Sequence, residues 1–391
     1  MNIRSNIWKL YLIRFLFSLI PAYVIERLFW EQRGMTIQMV VYTEIIFAIT
    51  VVFFEIPTGI IADKWGRKKL IVSGVILEGF MFLILVYATE FWHFAVAIFL
   101  AGLARSSSSG SENAMLYDTL LQVGQEKTFE KHLGGLNVFD LIAIIIASIS
   151  GSLLASRYPF ELNYWLSIIS MIMSMCIALL LIEPEYKSES DESVLMKDYL
   201  KTSIAFFIKH VDVRLILLSG MVIGVAVSFI DEFWQLYLNR LGIPVVYFGL
   251  FSAITMVVRL PGNLFAHVVG KWFGNRTILL TVSAIFVALF LWITLIKNIS
   301  SLVAIVLICF VSGVIEPITT GYLHHRIDSS MRATIDSFQS LGFNVVLIIA
   351  GLGFGYFSSE YDVFGGFGFI AVMCVVFFGY FLIASKETLG N

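Results

Sequence analysis

Apolar stretches of about twenty residues follow one another almost from end to end of this chain, and that repeat decides what it can fold into. A helix needs roughly 20 apolar residues to cross the hydrocarbon core of a bilayer. Punctuation by charges, Pro and Gly leaves twelve such stretches, near residues 8–30, 36–62, 70–89, 92–117, 133–156, 162–182, 212–239, 244–270, 277–296, 300–325, 332–357 and 363–385. In hydrocarbon each backbone N–H and C=O has to be satisfied, which runs of this length achieve as helices. Composition agrees. Of 391 residues, 59% are hydrophobic and 14% charged, against about 45–50% and about 25% in soluble domains. The surplus must face lipid or other helices, so the predicted fold class is an all-α polytopic membrane protein with the lipid bilayer as its first partner.

Lys and Arg are unevenly divided among the connections. With the N-terminus inside, eighteen of the 26 fall on the cytoplasmic side, Lys64, Arg67, Lys68 and Lys69 among them, and five on the other: Arg27, Arg33, Arg157, Arg240 and Lys297. Cytoplasmic connections carry the excess of positive residues, so both termini are expected inside, in a multi-pass protein of the cell (inner) membrane. Arg4 and Lys9 ahead of an apolar run have the look of a secretory signal. Arg14 interrupts that run and no small-x-small cleavage site follows, so it reads as a retained first span. A net charge of −2 gives no ground for a nucleic-acid partner. Cys176, Cys309 and Cys374 each lie inside an apolar run and read as core residues. No zinc spacing, phosphate loop or nucleophile–base pair stands out. Neither an enzyme nor a cofactor is therefore expected.

One connection is long. Residues 183–211 open with Glu183, Glu185, Glu189, Asp191 and Glu192 among serines, then turn apolar and basic from Leu195 to Lys209. The first part reads as solvated and mobile, the second as a helix lying at the cytoplasmic interface. This loop separates an N-terminal six-span half, residues 1–182, from a C-terminal six-span half, residues 212–391. The halves echo one another. Pro57-Thr58-Gly59-Ile60-Ile61-Ala62-Asp63 and Lys64-Trp65-Gly66-Arg67 close span two; Pro261-Gly262-Asn263-Leu264-Phe265-Ala266-His267 and Lys271-Trp272-Phe273-Gly274-Asn275-Arg276 close span eight. Two parallel six-helix repeats form one architecture of secondary transporters.

The stretch from Gly59 to Lys69 resembles the signature between helices two and three of the major facilitator superfamily, G-x-x-x-D-x-x-G-R-K/R-x. Span count, central loop and half-repeat extend the resemblance along the whole chain, toward the 12-helix, drug/proton-antiporter-like branch. It implies two pseudo-symmetric six-helix halves around a cavity lined by helices 1, 4, 7 and 10. It also implies a conformational latch made of the signature residues Gly59, Asp63, Gly66, Arg67 and Lys68, with Asp118 completing the charge cluster. The plainer reading of the basic residues is that they set topology alone. Two departures stand out. Ser108 and Ser109 replace the Gln and Gly that follow an arginine like Arg105 in proton-coupled relatives. Span five lacks the Gly-Pro element of superfamily antiporters, with only Gly151 in its place.

Ionisable groups inside spans are expensive and suggest function by default. Arg105, Glu112, Asp231 and Glu316 fall on helices that the resemblance places around the cavity; Arg14 and Glu26 lie on the first span. Arg105 and Glu112 stand seven residues apart, on one helical face, which makes Arg105 the expected partner of Glu112. The bland alternative is a static pair that fixes packing. Glu316, beside Pro317, is the expected substrate contact. Asp231 with Phe233, Trp234 and Tyr237 would suit a lipophilic cation. The serines from Ser106 to Ser109, with Ser111, read as a packing face. Together these expectations describe a monomeric secondary active transporter moving a small amphipathic molecule by alternating access, with proton-coupled, multidrug-type efflux first. Metabolite uptake, uniport, or a non-transporting receptor on the same fold are the alternatives.

Overall fold

A computed structural model describes residues 3–184, 211–326 and 332–388, and they are helical almost throughout. The first span is broken. Helix α1 (Ser5–Ser18) gives way to a 3-10 turn, Pro21–Val24, and resumes as α2 (Glu26–Gln32). Pro21 has no N–H to donate to α1, so the α-helical ladder cannot run through it. Then come α3 (Ile37–Trp65), α4 (Arg67–Tyr87), α5 (Phe91–Gln122), α6 (Phe129–Ala155) and α7 (Glu161–Leu179). After the central connection follow α8 (Val211–Arg240), α9 (Phe248–Val257), α10 (Arg259–Trp272), α11 (Asn275–Leu295), α12 (Ser300–Arg326) and α13 (Arg332–Thr388). The interfacial helix expected between residues 195 and 209 lies outside the described residues.

Ten helical stretches among the described residues are long and apolar enough to cross a membrane, and the last of these, Gln339–Lys386, is 48 residues long. It holds two crossings, because α13 is interrupted at Tyr361 and Asp362. Helix α5 is the twelfth. Arg105, Glu112 and its serines dilute its apolar character, although it is 32 residues long. Twelve spans therefore stand where the apolar repeat placed them.

The break in α13 rests on Asp362, whose φ of 56° is left-handed. Asp tolerates that conformation better than most residues. Its Oδ1 accepts the Val363 amide at 2.7 Å, satisfying a donor at the start of the last span that no helical turn can reach. Its Oδ2 accepts from Arg240 Nε at 2.5 Å, fixing the reversal to the end of α8.

Two compact units form, one of Met1–Ser190 with Ile243–Ala253, the other of Asp191–Gly242 with Ile254–Asn391. Lipid is as apolar as a helix face, so close van der Waals fit has to hold such helices together. In the first unit Gly102 supplies it: a Cβ there would sit 2.8 Å from the Thr50 side chain. Ser106, Ser107, Ser108 and Ser111 are buried, each donating to the carbonyl four residues earlier, so they offer a small surface with its polar atoms satisfied. Leu10, Ile13, Ile71, Met115, Leu116 and Leu136 form a core at one end. In the second unit α10 and α12 meet backbone to backbone, a Cβ on Gly262 falling 2.6 Å from the Phe310 carbonyl. Phe354 stacks on Phe229 and Phe233 at 4.7 and 4.6 Å between centroids. Large exposed residues such as Ile142, Ile146 and Leu153 run along one stripe of α6, an outward face suited to lipid.

Candidate functional site

The connection from α3 to α4 is a single residue, Gly66, with φ of +98° and ψ of 145°. Only glycine adopts that conformation readily. There is no room for a side chain either: a Cβ would lie 2.9 Å from the Glu183 carboxyl. That carboxyl caps α4. Its two oxygens accept from the Arg67 amide at 2.7 Å and the Lys68 amide at 2.9 Å, two N-terminal donors that no helical turn can satisfy. Negative charge is also favoured at this end of a helix dipole. The Arg67 guanidinium turns the other way, donating to the Ala114 carbonyl at 2.5 Å and pairing with Asp118 on α5. Arg67 and Asp118 thus come together as the motif suggested. Lys68 joins through its backbone. Gly59 and Asp63 are helical, but their side-chain positions lie outside the described residues.

Glu183 is exposed, as the reading of the central loop expected, but its two hydrogen bonds hold it in place, against the expectation that the loop is mobile from its first residue. The segment from Leu180 to Glu183 is strapped to the start of α1. Lys9 Nζ donates to the Leu180 carbonyl at 2.6 Å, and Asn6 exchanges bonds with both backbone groups of Ile182, at 2.7 and 3.0 Å. Asn6 also reaches Thr119 Oγ1 on α5 at 3.2 Å. The sequence signal that could have found Glu183 is its place just before Pro184, where helix ends and chain direction is restricted.

Inside the spans of the first unit, charges are paired across helices. Glu112 on α5 faces Arg14 on α1, 3.4 Å apart, with side chains 7% and 23% exposed. Arg105 occupies an exposed position on α5 instead. Arg105 and Glu112 are not in ion-pair contact, with about 10.5 Å of helical rise between their backbones. Helix α1 supplies the nearer cation. Arg14 Nε is buried and has no partner among the described residues. Glu26 stands 3.8 Å from Arg27, whose guanidinium bonds Glu44 at 2.8 Å and lies over Trp30 at 4.2 Å. Arg33, which follows α2, pairs with Glu161 at the start of α7 at 2.7 Å. Removing Arg14 would leave the Glu112 charge buried without its partner, at a cost of about 3–5 kcal/mol.

In the second unit Asp231 on α8 pairs with Arg259 at the start of α10, and Arg259 also lies 3.4 Å from Cys309 Sγ on α12. Three spans meet at that guanidinium. The Glu316 side chain lies outside the described residues. No group of three His, Cys, Asp or Glu side chains able to hold a metal ion occurs among the described residues.

Comparison with known proteins gives this arrangement a setting. A family model described as Major Facilitator Superfamily matches residues 10–335. Over 124 residues the chain is 31% identical to the Na(+), Li(+), K(+)/H(+) antiporter of Planococcus maritimus, a match covering 30% of this chain and 28% of that protein. An uncharacterized transporter of Buchnera aphidicola is 25% identical over 40% of this chain and 38% of its own length. These two relatives are therefore matched over well under half their length. The multidrug resistance protein MdtG of Escherichia coli is 24% identical over 89% of this chain and 81% of its own. A crystal structure of a point mutant of the nucleoside transporter NupG superposes with a TM-score of 0.80 at 15% identity, covering 98% of this chain and all of the other. A bacterial homolog of the human lysosomal transporter Spinster, in an inward-facing and occupied conformation, gives 0.74 at 13% identity, covering 100% of this chain and 98% of that one.

Proposed function

The chain belongs to the Major Facilitator Superfamily and is a multi-pass membrane transporter; we propose that it exports a small amphipathic molecule in exchange for protons, from a bacterial inner membrane with both termini cytoplasmic. The observation that carries this reading is the pair Arg14–Glu112 between α1 and α5. A proton taken up by Glu112 discharges it and frees Arg14, so protonation and the packing of two spans are linked. Arg14, with its buried and unpartnered Nε, keeps bonding capacity for a substrate acceptor. Glu26 and Arg105 in the first unit, and Asp231 and Glu316 in the second, are assigned to proton or substrate contacts. Arg67, Asp118 and Glu183 hold the signature turn, and with Gly59, Asp63, Gly66 and Lys68 they latch one state of the cycle. Similarity to MdtG along 89% of the chain supports the amphipathic substrate class.

The test is transport by purified protein in proteoliposomes under an imposed pH gradient, with ethidium as the probe. Wild type is expected to accumulate it and Glu112→Gln to lose accumulation at least tenfold while still exchanging labelled for unlabelled probe. Normal accumulation by Glu112→Gln would sink the assignment of the proton to Glu112. A second reading is cation–proton antiport, favoured by the 31% match to the Planococcus maritimus antiporter. Sodium movement driven by the same gradient separates it from the first.

A further inference from the structure

One buried carboxyl of the first unit is held differently from the others. Glu112, the other buried one, has an arginine at 3.4 Å, and the more exposed Glu44 and Glu161 have theirs at 2.8 and 2.7 Å. Glu78, on α4, is 6% exposed and has no Lys or Arg within ion-pair distance among the described residues. Its hydrogen bond there comes from the Tyr23 hydroxyl, which donates to Glu78 Oε1 at 2.9 Å. An ionised carboxylate in such a place has no cation in contact with it, whereas a neutral carboxyl can remain buried. Tyr23 itself is 42% exposed and sits in the 3-10 turn, Pro21–Val24, that breaks the first span. Thus the buried group is tied to a residue that reaches the surface, and tied at the one place where the first span is not a continuous helix.

We propose that Glu78, gated by Tyr23 across the broken first span, is a proton-carrying carboxyl of this transporter. The step is a protonation and nothing more. A water-borne proton binds the Glu78 carboxylate when Tyr23 and its turn move aside, and it leaves by the same oxygen when the turn moves again. The charged groups around the pair fit this role. Glu26 on α2 and Arg105 on α5 act on Glu78 electrostatically, and Tyr164 on α7 acts on Tyr23. Arg105, on an exposed face of α5, is a cation that can offset the Glu78 charge once the proton has left. The break in the first span then has a use: a local change in a four-residue turn exposes the carboxyl without unwinding α1 or α2.

This assignment rests on the proton-coupled reading for its place in transport, so its first test is independent of substrate. A protonated carboxyl gives a carbonyl infrared band separate from that of carboxylates. Wild-type protein in nanodiscs is expected to show such a band at neutral pH, lost in Glu78→Gln, an isosteric change that leaves the fold in place. Tyr23→Phe should keep the band and shift the pH at which it titrates. Identical spectra for wild type and Glu78→Gln would overturn the proposal, and an unshifted titration in Tyr23→Phe would overturn the role of the turn. In the ethidium proteoliposome assay, Glu78→Gln is expected to lose pH-driven accumulation at least tenfold while its exchange stays within about twofold of wild type. Equal loss of both would make Glu78 a structural residue and overturn the proposal. A wild type indifferent to the pH gradient would instead sink proton coupling, leaving the infrared result to decide whether Glu78 holds a proton.

Discussion

Replacing Gly66 by Ala tests the geometry of the signature turn. At φ +98° and ψ 145° a residue with a Cβ is strained by about 1–3 kcal/mol. The new methyl group would also lie 2.9 Å from Glu183 Cδ, so the carboxyl must leave the Arg67 and Lys68 amides. Losing a helix cap costs about 0.5–2 kcal/mol, and Glu183 is exposed enough for water to replace it, so about 1 kcal/mol is expected here. Gly66→Ala should therefore lose about 2–4 kcal/mol, and Glu183→Ala alone about 1 kcal/mol. The double variant is the decisive one. It keeps the backbone strain, but the cap is lost only once and the clash disappears. Its destabilisation should fall short of the sum of the single effects by about 1 kcal/mol or more, a coupling of the size neighbouring groups show. Equilibrium unfolding in mixed dodecyl sulfate micelles measures all three. Strict additivity, or a Gly66→Ala protein as stable as wild type, would refute the account of Gly66 and Glu183 as one device.

Two further outcomes follow from features already described. A single cysteine introduced at Arg157 should react with an impermeant maleimide added outside intact cells, and one at Ser190 should react only after permeabilisation; the reverse pattern would invert the orientation derived from Lys and Arg. Gly313→Val, where a Cβ would run into the Arg259 carbonyl, should lose about 1–3 kcal/mol or more through overpacking, read as a lower unfolding midpoint and poorer yield, whereas Gly321→Ala, with open space at its Cβ, should be near neutral.

The spans were legible because hydrocarbon imposes one length and one backbone solution on each of them. Even α5, whose serines and charges weaken its apolar character, is recognisable by position between two clear neighbours. The serine face was also readable, since small residues recurring on one side of a helix serve close approach. What escaped was long-range pairing. Glu183 is 116 residues from the Arg67 amide it caps, and its place before Pro184 marks a chain restriction but not the partner it reaches. Arg105 looked like the partner of Glu112 because helical phase puts them on one face, but phase says nothing about the two turns of rise between them. Arg14 makes the contact from another helix, a fact that depends on packing. That Glu78 is held by Tyr23 and, among the described residues, by no arginine in contact likewise depends on packing.

Asp362 has a consequence for how the second unit can bend. Two residues reverse the chain there, and the same carboxylate holds the next helix and Arg240 at the end of α8. The final two crossings and α8 are thus riveted together at one point. Helices pinned in this way behave like the ribs of a fan: the angle between them can change, but displacement is smallest at the pin and grows along each rib. Any such flexing would leave the Arg240 end nearly still and carry its largest travel to the opposite ends, where α8 begins and where α13 starts at Arg332.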